Sequence, residues 1–280
     1  MTTHYRVQHN VHPKDFKAYD TGLLRERFMV DNLFKANEVS LIYSTIDRFI
    51  VGGVMPTDSV VKLETIDALK APYFLQRREI GFINIGGPGS ITADGELFEL
   101  NNRDALYLGA GNQEVTFTSL EANNPAMFYL NSACAHQHFP NRRVSFSEAA
   151  KVELGSSETA NERCINKLLV SDVVETCQLQ MGLTEFKPGS NWNTMPVYLH
   201  SRRNEAYFYF DLPEDQAICH FLGEPNETRH IWLSNCQGVI SPSWSIHSGV
   251  GTASYAFIWG MAGANLDYDD IEKFPPSALR

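Results

Sequence analysis

The sequence predicts a mainly β protein made of two similar barrels or sandwiches of short strands, with a few short helices. Three observations carry that expectation. Short apolar runs recur between glycine, proline and Asp-Gly punctuation, from Ile80-Gly-Phe-Ile-Asn-Ile85 to Ala126-Met-Phe-Tyr-Leu130, a spacing that marks strands joined by tight turns. A polar stretch from Ser145 to Leu169 interrupts the rhythm. A second series of comparable size then runs from Gln178 to Trp259. The expected division is therefore residues 1–150 for the first half and 151–280 for the second.

Before the first strand series, Lys14 to Met29 carries Leu23, Leu24 and Phe28 at helical spacing, and Leu41-Ile-Tyr-Ser-Thr45 reads as a strand. From Ser59 to Leu69 the apolar positions Val60, Val61, Leu63, Ile66 and Leu69 again predict a helix. Strands follow at 80–85, 90–92, 97–100, 104–108, 115–118 and 126–130, with Asp94-Gly95 as a hairpin turn. Gly86-Gly-Pro-Gly89 has no Lys-Ser/Thr behind it and no helix to open, so a tight turn is expected rather than a phosphate loop. Ser145 to Leu169 is expected to be a partly helical connection. Strands resume at Gln178–Phe186 and continue through Ala217–Leu222, Ile231–Leu233, Gly238–Ile240 and Tyr255–Trp259.

At 280 residues the chain can bury one large core or two ordinary ones. Its 23 basic and 33 acidic residues, net charge −10, argue against binding a nucleic-acid backbone. No apolar run approaches the roughly 20 residues that span a bilayer, and no signal peptide is visible at the N-terminus, so a cytoplasmic protein is expected. Five cysteines at 134, 164, 177, 219 and 236, without paired metal spacing, are expected to be reduced and packed.

The chemistry is expected around Met195-Pro-Val-Tyr-Leu-His-Ser-Arg-Arg-Asn-Glu205. In an extended segment Tyr198 and His200 face the same way, Ser201 to Asn204 can turn, and Glu205 opens the returning strand. Some forty residues later Pro242-Ser-Trp-Ser-Ile-His247 supplies a second imidazole. Two imidazoles and a carboxylate converging from neighbouring strands suit zinc with an open position, and equally non-haem iron. The corresponding strand end of the first half, Leu106 to Asn112, carries no such residue, so the first barrel is expected to hold no metal. His136 and His138 have same-face spacing but no downstream partner and are expected to be exposed, whereas His220 and His230 are expected to be satisfied core residues or residues supporting the ligands from behind.

The order H-x(4)-E, then P-x-W-x-x-H, resembles the two motifs of the cupin superfamily, which implies a two-barrel, jelly-roll (bicupin) fold. Longer segments are more specific. Tyr73-Phe-Leu-Gln-Arg-Arg-Glu79, Asn84-Ile-Gly-Gly-Pro-Gly89, Thr176-Cys-Gln-Leu-Gln-Met-Gly182, Trp192-Asn-Thr-Met-Pro196, Glu227-Thr-Arg-His-Ile231 and Ser241 to Gly251 resemble the 5-keto-4-deoxyuronate isomerases over nearly the whole chain. That resemblance implies a hexamer with one zinc per subunit and a ketol-isomerase acting on a small deoxy-uronate in pectin breakdown. It implies zinc ligands at position 198, His200, Glu205 and His247. Position 198 is tyrosine where the family has its first histidine, which leaves three ligands and keeps Fe2+ and Mn2+ open beside Zn2+.

The implied reaction moves a carbonyl from C1 to C2, taking 5-dehydro-4-deoxy-D-glucuronate to 3-deoxy-D-glycero-2,5-hexodiulosonate. Negative charge must build on oxygen while a proton passes between neighbouring carbons. Glu205 and Tyr198 are the candidate catalytic groups. Arg163, Lys167, Arg202, Arg203 and Arg229 are the candidate cations for the substrate carboxylate. Two alternatives stay open from the residues: a non-haem iron dioxygenase, and a catalytically inactive cupin that binds sugar acids.

Overall fold

A computed structural model describes residues 3–264, 266 and 268–280. Contacts divide the chain into two compact units. The first comprises Met1–Gln8, Asn32–Ala150 and Leu168–Met181, and the second His9–Asp31, Lys151–Lys167 and Gly182–Arg280.

In the first unit a seven-stranded sheet runs in the order Thr3–Gln8, Val39–Ser44, Ile50–Val54, Phe128–Cys134, Arg78–Asn84, Ala105–Leu108, Arg142–Val144. A four-stranded sheet runs in the order Val61–Lys62, Val115–Ser119, Gly89–Ala93, Glu96–Leu100. Val39, Leu41, Phe82, Leu106 and Phe128 of the large sheet share one core with Val61, Ile91, Phe98 and Phe117 of the small one. The Phe82 and Phe117 rings meet across it at 5.5 Å. Asp94 and Gly95 both take positive φ, +46° and +87°, as a two-residue hairpin turn requires. The 86–89 segment is a turn: a Cβ on Gly87 would stand 2.0 Å from the Asn124 carbonyl, so only glycine lets the two backbones approach.

The second unit repeats the plan. Its seven-stranded sheet runs Ala150–Leu154, Arg163–Leu169, Gln180–Phe186, Ala256–Gly263, Arg203–Phe210, Gln237–Ser241, Met29–Val30, and its four-stranded sheet Trp192–Asn193, Ile246–Gly251, Ile218–Glu224, Glu227–Leu233. Matching seven-plus-four orders are the two-barrel cupin arrangement expected from the motifs. In that match the counterpart of His247's strand is Val115–Ser119, not the 106–112 segment, and it holds no histidine.

Three element expectations are corrected. Lys14 to Met29 forms two short helices: Pro13–Phe16 ends with Lys17 as its C-cap, and Asp20 caps Thr21–Phe28, its carboxylate accepting from the Leu23 N–H at 2.8 Å. Ser59 to Leu69 is not a helix: Val61–Lys62 is a strand and Asp67–Leu69 a single 3₁₀ turn. Val61 and Leu63 point into the core while Val60 is 65 % exposed, so alternation with a β-branched pair overrides the helical spacing. Ser145 to Leu169 forms the 3₁₀ turn Phe146–Glu148 and the strands Ala150–Leu154 and Arg163–Leu169, joined by turns over 155–162.

A buried carboxylate organises the first unit. Glu79, fully buried, accepts from the backbone N–H groups of Cys177 (2.7 Å), Gln178 (2.8 Å) and Leu179 (2.8 Å) and from the Tyr107 hydroxyl (2.8 Å). It ties the 168–181 segment to the strand Arg78–Asn84 within that unit. The five cysteines are free, Cys177 and Cys219 buried and the other three half-buried.

Candidate metal centre

Glu205 lies in Arg203–Phe210, a strand buried throughout its length and flanked by Ala256–Gly263 and Gln237–Ser241. Alternation puts Glu205, Tyr207 and Tyr209 on one face, and on that face the Tyr207 ring lies 5.1 Å from the His247 ring. His247 sits in Ile246–Gly251, opposite Leu222 of the next strand. His200 ends the short strand Val197–Leu199, which pairs with Glu272–Phe274 of the C-terminal segment, not with the strand that bears Glu205. The returning strand opens at Arg203, two residues earlier than expected.

These three side chains converge. One ligand atom from each of His200, Glu205 and His247 lies within 4.8 Å of the others. The Glu205 Oε2 oxygen stands 2.7 Å from His247 Nε2 and 3.2 Å from His200 Nε2. All three residues are about 2 % exposed, and these three facing atoms have no ordinary hydrogen-bond partner. Buried polar atoms left this way are costly, and atoms about 3 Å apart suit ligands bonded to one cation at about 2.1 Å. The residues fit a divalent cation. Among the described residues no other group of His, Cys, Asp or Glu is gathered in this way.

The surroundings prepare that role. His200 Nδ1 lies 2.6 Å from the Asp270 carbonyl. Donation there places the proton on Nδ1 and leaves the Nε2 lone pair facing Glu205. Burial alone would raise the Glu205 carboxyl, but the charge of His247 and the close approach of the two imidazoles prevail and hold it below its ordinary 4.5.

Tyr198 stands beside the cluster, its ring edge-on to His247 at 4.8 Å and to His200 at 5.1 Å. Its hydroxyl is 3.4 Å from the Tyr207 hydroxyl, which is 3.3 Å from Thr194 Oγ1. Burial, then the Glu205 charge, push the Tyr198 pKa well above 10, so it is a neutral phenol that can donate to an oxygen. A cavity of about 280 Å³ opens onto Tyr198, His200, Glu205 and Tyr207, close to the smallest small-ligand pockets, which begin near 300 Å³.

The expected cations separate. Arg163 lines the cavity, half-buried, with Nη1 donating to the Asn161 carbonyl at 2.8 Å. Arg203 is buried with Nη2 3.1 Å from His200 Nδ1 and therefore packs behind the ligand. Lys167 lies 4.0 Å over the ring of Tyr268, itself a cavity residue. Arg202 is exposed, and Arg229 pairs with Glu227 at 2.8 Å and donates to the Lys17 carbonyl; neither lines the cavity. His136 and His138 are exposed, as expected. His230 is exposed too, contrary to expectation, because its strand presents that position outward. Unforeseen in the sequence are Tyr207, Thr194 and the C-terminal Tyr268, Asp269, Ile271 and Lys273. For Tyr207 the alternation with Glu205 was an available signal; nothing local marks the C-terminal residues.

His220 is fully buried, with Nδ1 2.7 Å from the Tyr209 hydroxyl. Burial, then the neighbouring His247, lower its pKa from 6.5 to about 3. The unfolded chain takes up that proton near pH 6.5 and the folded chain does not until about pH 3, so protonation favours unfolding. Below pH 6.5 stability should fall with a slope approaching ~1.4 kcal/mol per pH unit, and Glu205 steepens the loss below its ordinary 4.5. In chelator-treated protein, denaturant unfolding at pH 6.5 and 4.5 should show this slope, and His220→Gln should flatten it; an unchanged slope refutes the assignment.

Comparison with known proteins adds three relations. The profile of the KduI/IolB family matches residues 28–275. The 4-deoxy-L-threo-5-hexosulose-uronate ketol-isomerase of Formosa agariphila is 55 % identical over 280 residues, the whole of both chains, and that of Bacteroides fragilis is 54 % identical over 96 % of each. An IolB-like protein from Salmonella typhimurium LT2 superposes with a TM-score of 0.66 at 15 % identity, covering 81 % of this chain and 86 % of that one, a likeness of fold.

Proposed function

Because this chain belongs to the KduI/IolB family, we propose that it converts 4-deoxy-L-threo-5-hexosulose uronate to 3-deoxy-D-glycero-2,5-hexodiulosonate, in the breakdown of pectin or another uronate polysaccharide. At 54–55 % identity to ketol-isomerases over 96–100 % of its length, it is an isomerase. The observation that carries the proposal is the buried, converging His200–Glu205–His247 set beside a cavity containing one half-buried arginine.

His200 Nε2, Glu205 Oε2 and His247 Nε2 would hold a divalent cation, zinc by family and iron or manganese by ligand type, which would supply a Lewis acid where negative charge builds on the sugar oxygens. Arg163 binds the substrate carboxylate and sets which end enters. Glu205 Oε2, facing both imidazoles at 2.7 and 3.2 Å, is the anionic member of the set, and its part is charge. Tyr198 donates a hydrogen bond to a substrate oxygen, and the Tyr207 and Thr194 hydroxyls behind it align that donor. The Asp270 carbonyl keeps His200 in the tautomer the site needs.

The test is a split. With the deoxy-uronate as substrate and product followed by NMR, Arg163→Met should raise KM roughly 10–100-fold with kcat little changed. Tyr198→Phe should lower kcat roughly tenfold or more at similar KM. Absence of turnover in metal-replete native protein overturns the assignment, and oxygen uptake in its place would mark the iron dioxygenase. The hexamer and the cytoplasmic location belong to the same proposal, with sedimentation and cell fractionation as their measurements. No helix among the described residues is long and apolar enough to cross a membrane.

A further inference from the structure

The segment Tyr73 to Glu79, specific enough to support the family resemblance, contributes nothing to the candidate metal centre. It belongs to the first unit. There Arg78 is 4 % exposed, and among the described residues no carboxylate pairs with it. Its Nε donates to Ser132 Oγ at 3.0 Å and its Nη2 to the Ser132 and Arg48 carbonyls at 2.8 Å. Nη1 has only the Cys134 thiol, at 3.7 Å, a weak acceptor. The acid that acts on it from nearby is Glu79, both of whose oxygens are taken by backbone N–H groups and Tyr107. A buried guanidinium with no carboxylate oxygen in direct contact is costly.

Arg78 and Cys134 also line a cavity of about 210 Å³, together with the exposed Arg48 and Arg77. Three of its nine lining residues are arginines and none is acidic. Arg48 holds a left-handed backbone, φ +52°, which is uncommon away from glycine, asparagine and aspartate. The cavity's place in the fold is telling. Arg78 opens the strand that takes, in its seven-stranded sheet, the position that the strand opened by Arg203 and bearing Glu205 takes in the other. Where the second unit gathers ligands for a cation, the first gathers positive charge.

We propose that this first-unit cavity binds a small oxyanion, a carboxylate or phosphate group, through the guanidinium groups of Arg48, Arg77 and Arg78. Arg78 supplies the fixed donor at the base, and the two exposed arginines complete the charge at the mouth.

The test uses the full chain and reads alkylation of Cys134 by the neutral reagent iodoacetamide, followed by peptide mass spectrometry, at constant ionic strength. Millimolar inorganic phosphate or glucuronate should slow Cys134 labelling in native protein while Cys164 and Cys236 react unchanged. Protection by phosphate alone assigns the site to phosphorylated ligands, and protection by glucuronate alone to sugar acids. Arg78 variants risk misfolding, so the probe is the double variant Arg48→Ser, Arg77→Ser, in which both replaced residues are exposed. Its half-protecting anion concentration should rise roughly tenfold, as expected when charge-assisted hydrogen bonds are lost, with isomerase activity unchanged. Labelling that neither anion slows, or protection equal in the double variant, overturns the proposal.

Discussion

His247→Ala is expected to leave purified protein without stoichiometric metal and to lower ketol-isomerase turnover roughly a thousandfold or more. The cluster brings together only three ligand side chains of the usual metal-binding types, so losing one removes a third of its grip. His247 Nε2 is also the closest partner of Glu205 Oε2, at 2.7 Å, and the largest charge lowering that carboxyl. Elemental analysis beside turnover, before and after chelation, decides the matter. Full activity without metal, in native protein or variant, would refute the cation's part. Native protein that loses activity on chelation and regains it with one added metal supports it and identifies the metal. Tyr198→Phe is the useful control, because it should keep metal while losing rate.

Glu79→Ala is expected to cost about 3–5 kcal/mol of stability, far from the candidate metal ligands in sequence. The carboxylate satisfies three backbone N–H groups in the 177–179 segment and one phenol, all at 2.7–2.8 Å. Truncation leaves those donors buried without an acceptor, whereas Glu79→Gln keeps one carbonyl oxygen and should cost less. Urea unfolding followed by tryptophan fluorescence and circular dichroism measures both. A loss below about 1 kcal/mol for the alanine variant would show that solvent or a rearranged loop replaces the carboxylate. Should Glu79→Ala not accumulate as folded protein, the Gln variant still reports the sign.

Much of the candidate metal centre was legible because its signals are local. Glu205 lies in a run of strand formers, His200 precedes it across a polar turn, and His247 follows a proline and an apolar pair. The candidate cations were less legible: five arginines and lysines near the motif look alike in sequence, and burial alone set Arg163 at the cavity, Arg203 behind His200, and Arg202 and Arg229 outside. Helical spacing misled at 59–69 because apolar residues at 61 and 63 satisfy a strand equally well, and pairing with Val115–Ser119 settles which period is used.

By itself the sequence determined the rhythm of strands and the residue types able to hold a cation, since period, turn chemistry and donor type are properties of a few neighbouring residues. Only the tertiary structure decided that Val197–Leu199 pairs with a strand some seventy-five residues later, that the Asp270 carbonyl sets the tautomer of His200, and that Arg78 is buried at a cavity with no carboxylate in direct contact. Those are long-range choices. They depend on which surfaces the sheets bury against each other, and no window of sequence contains both partners.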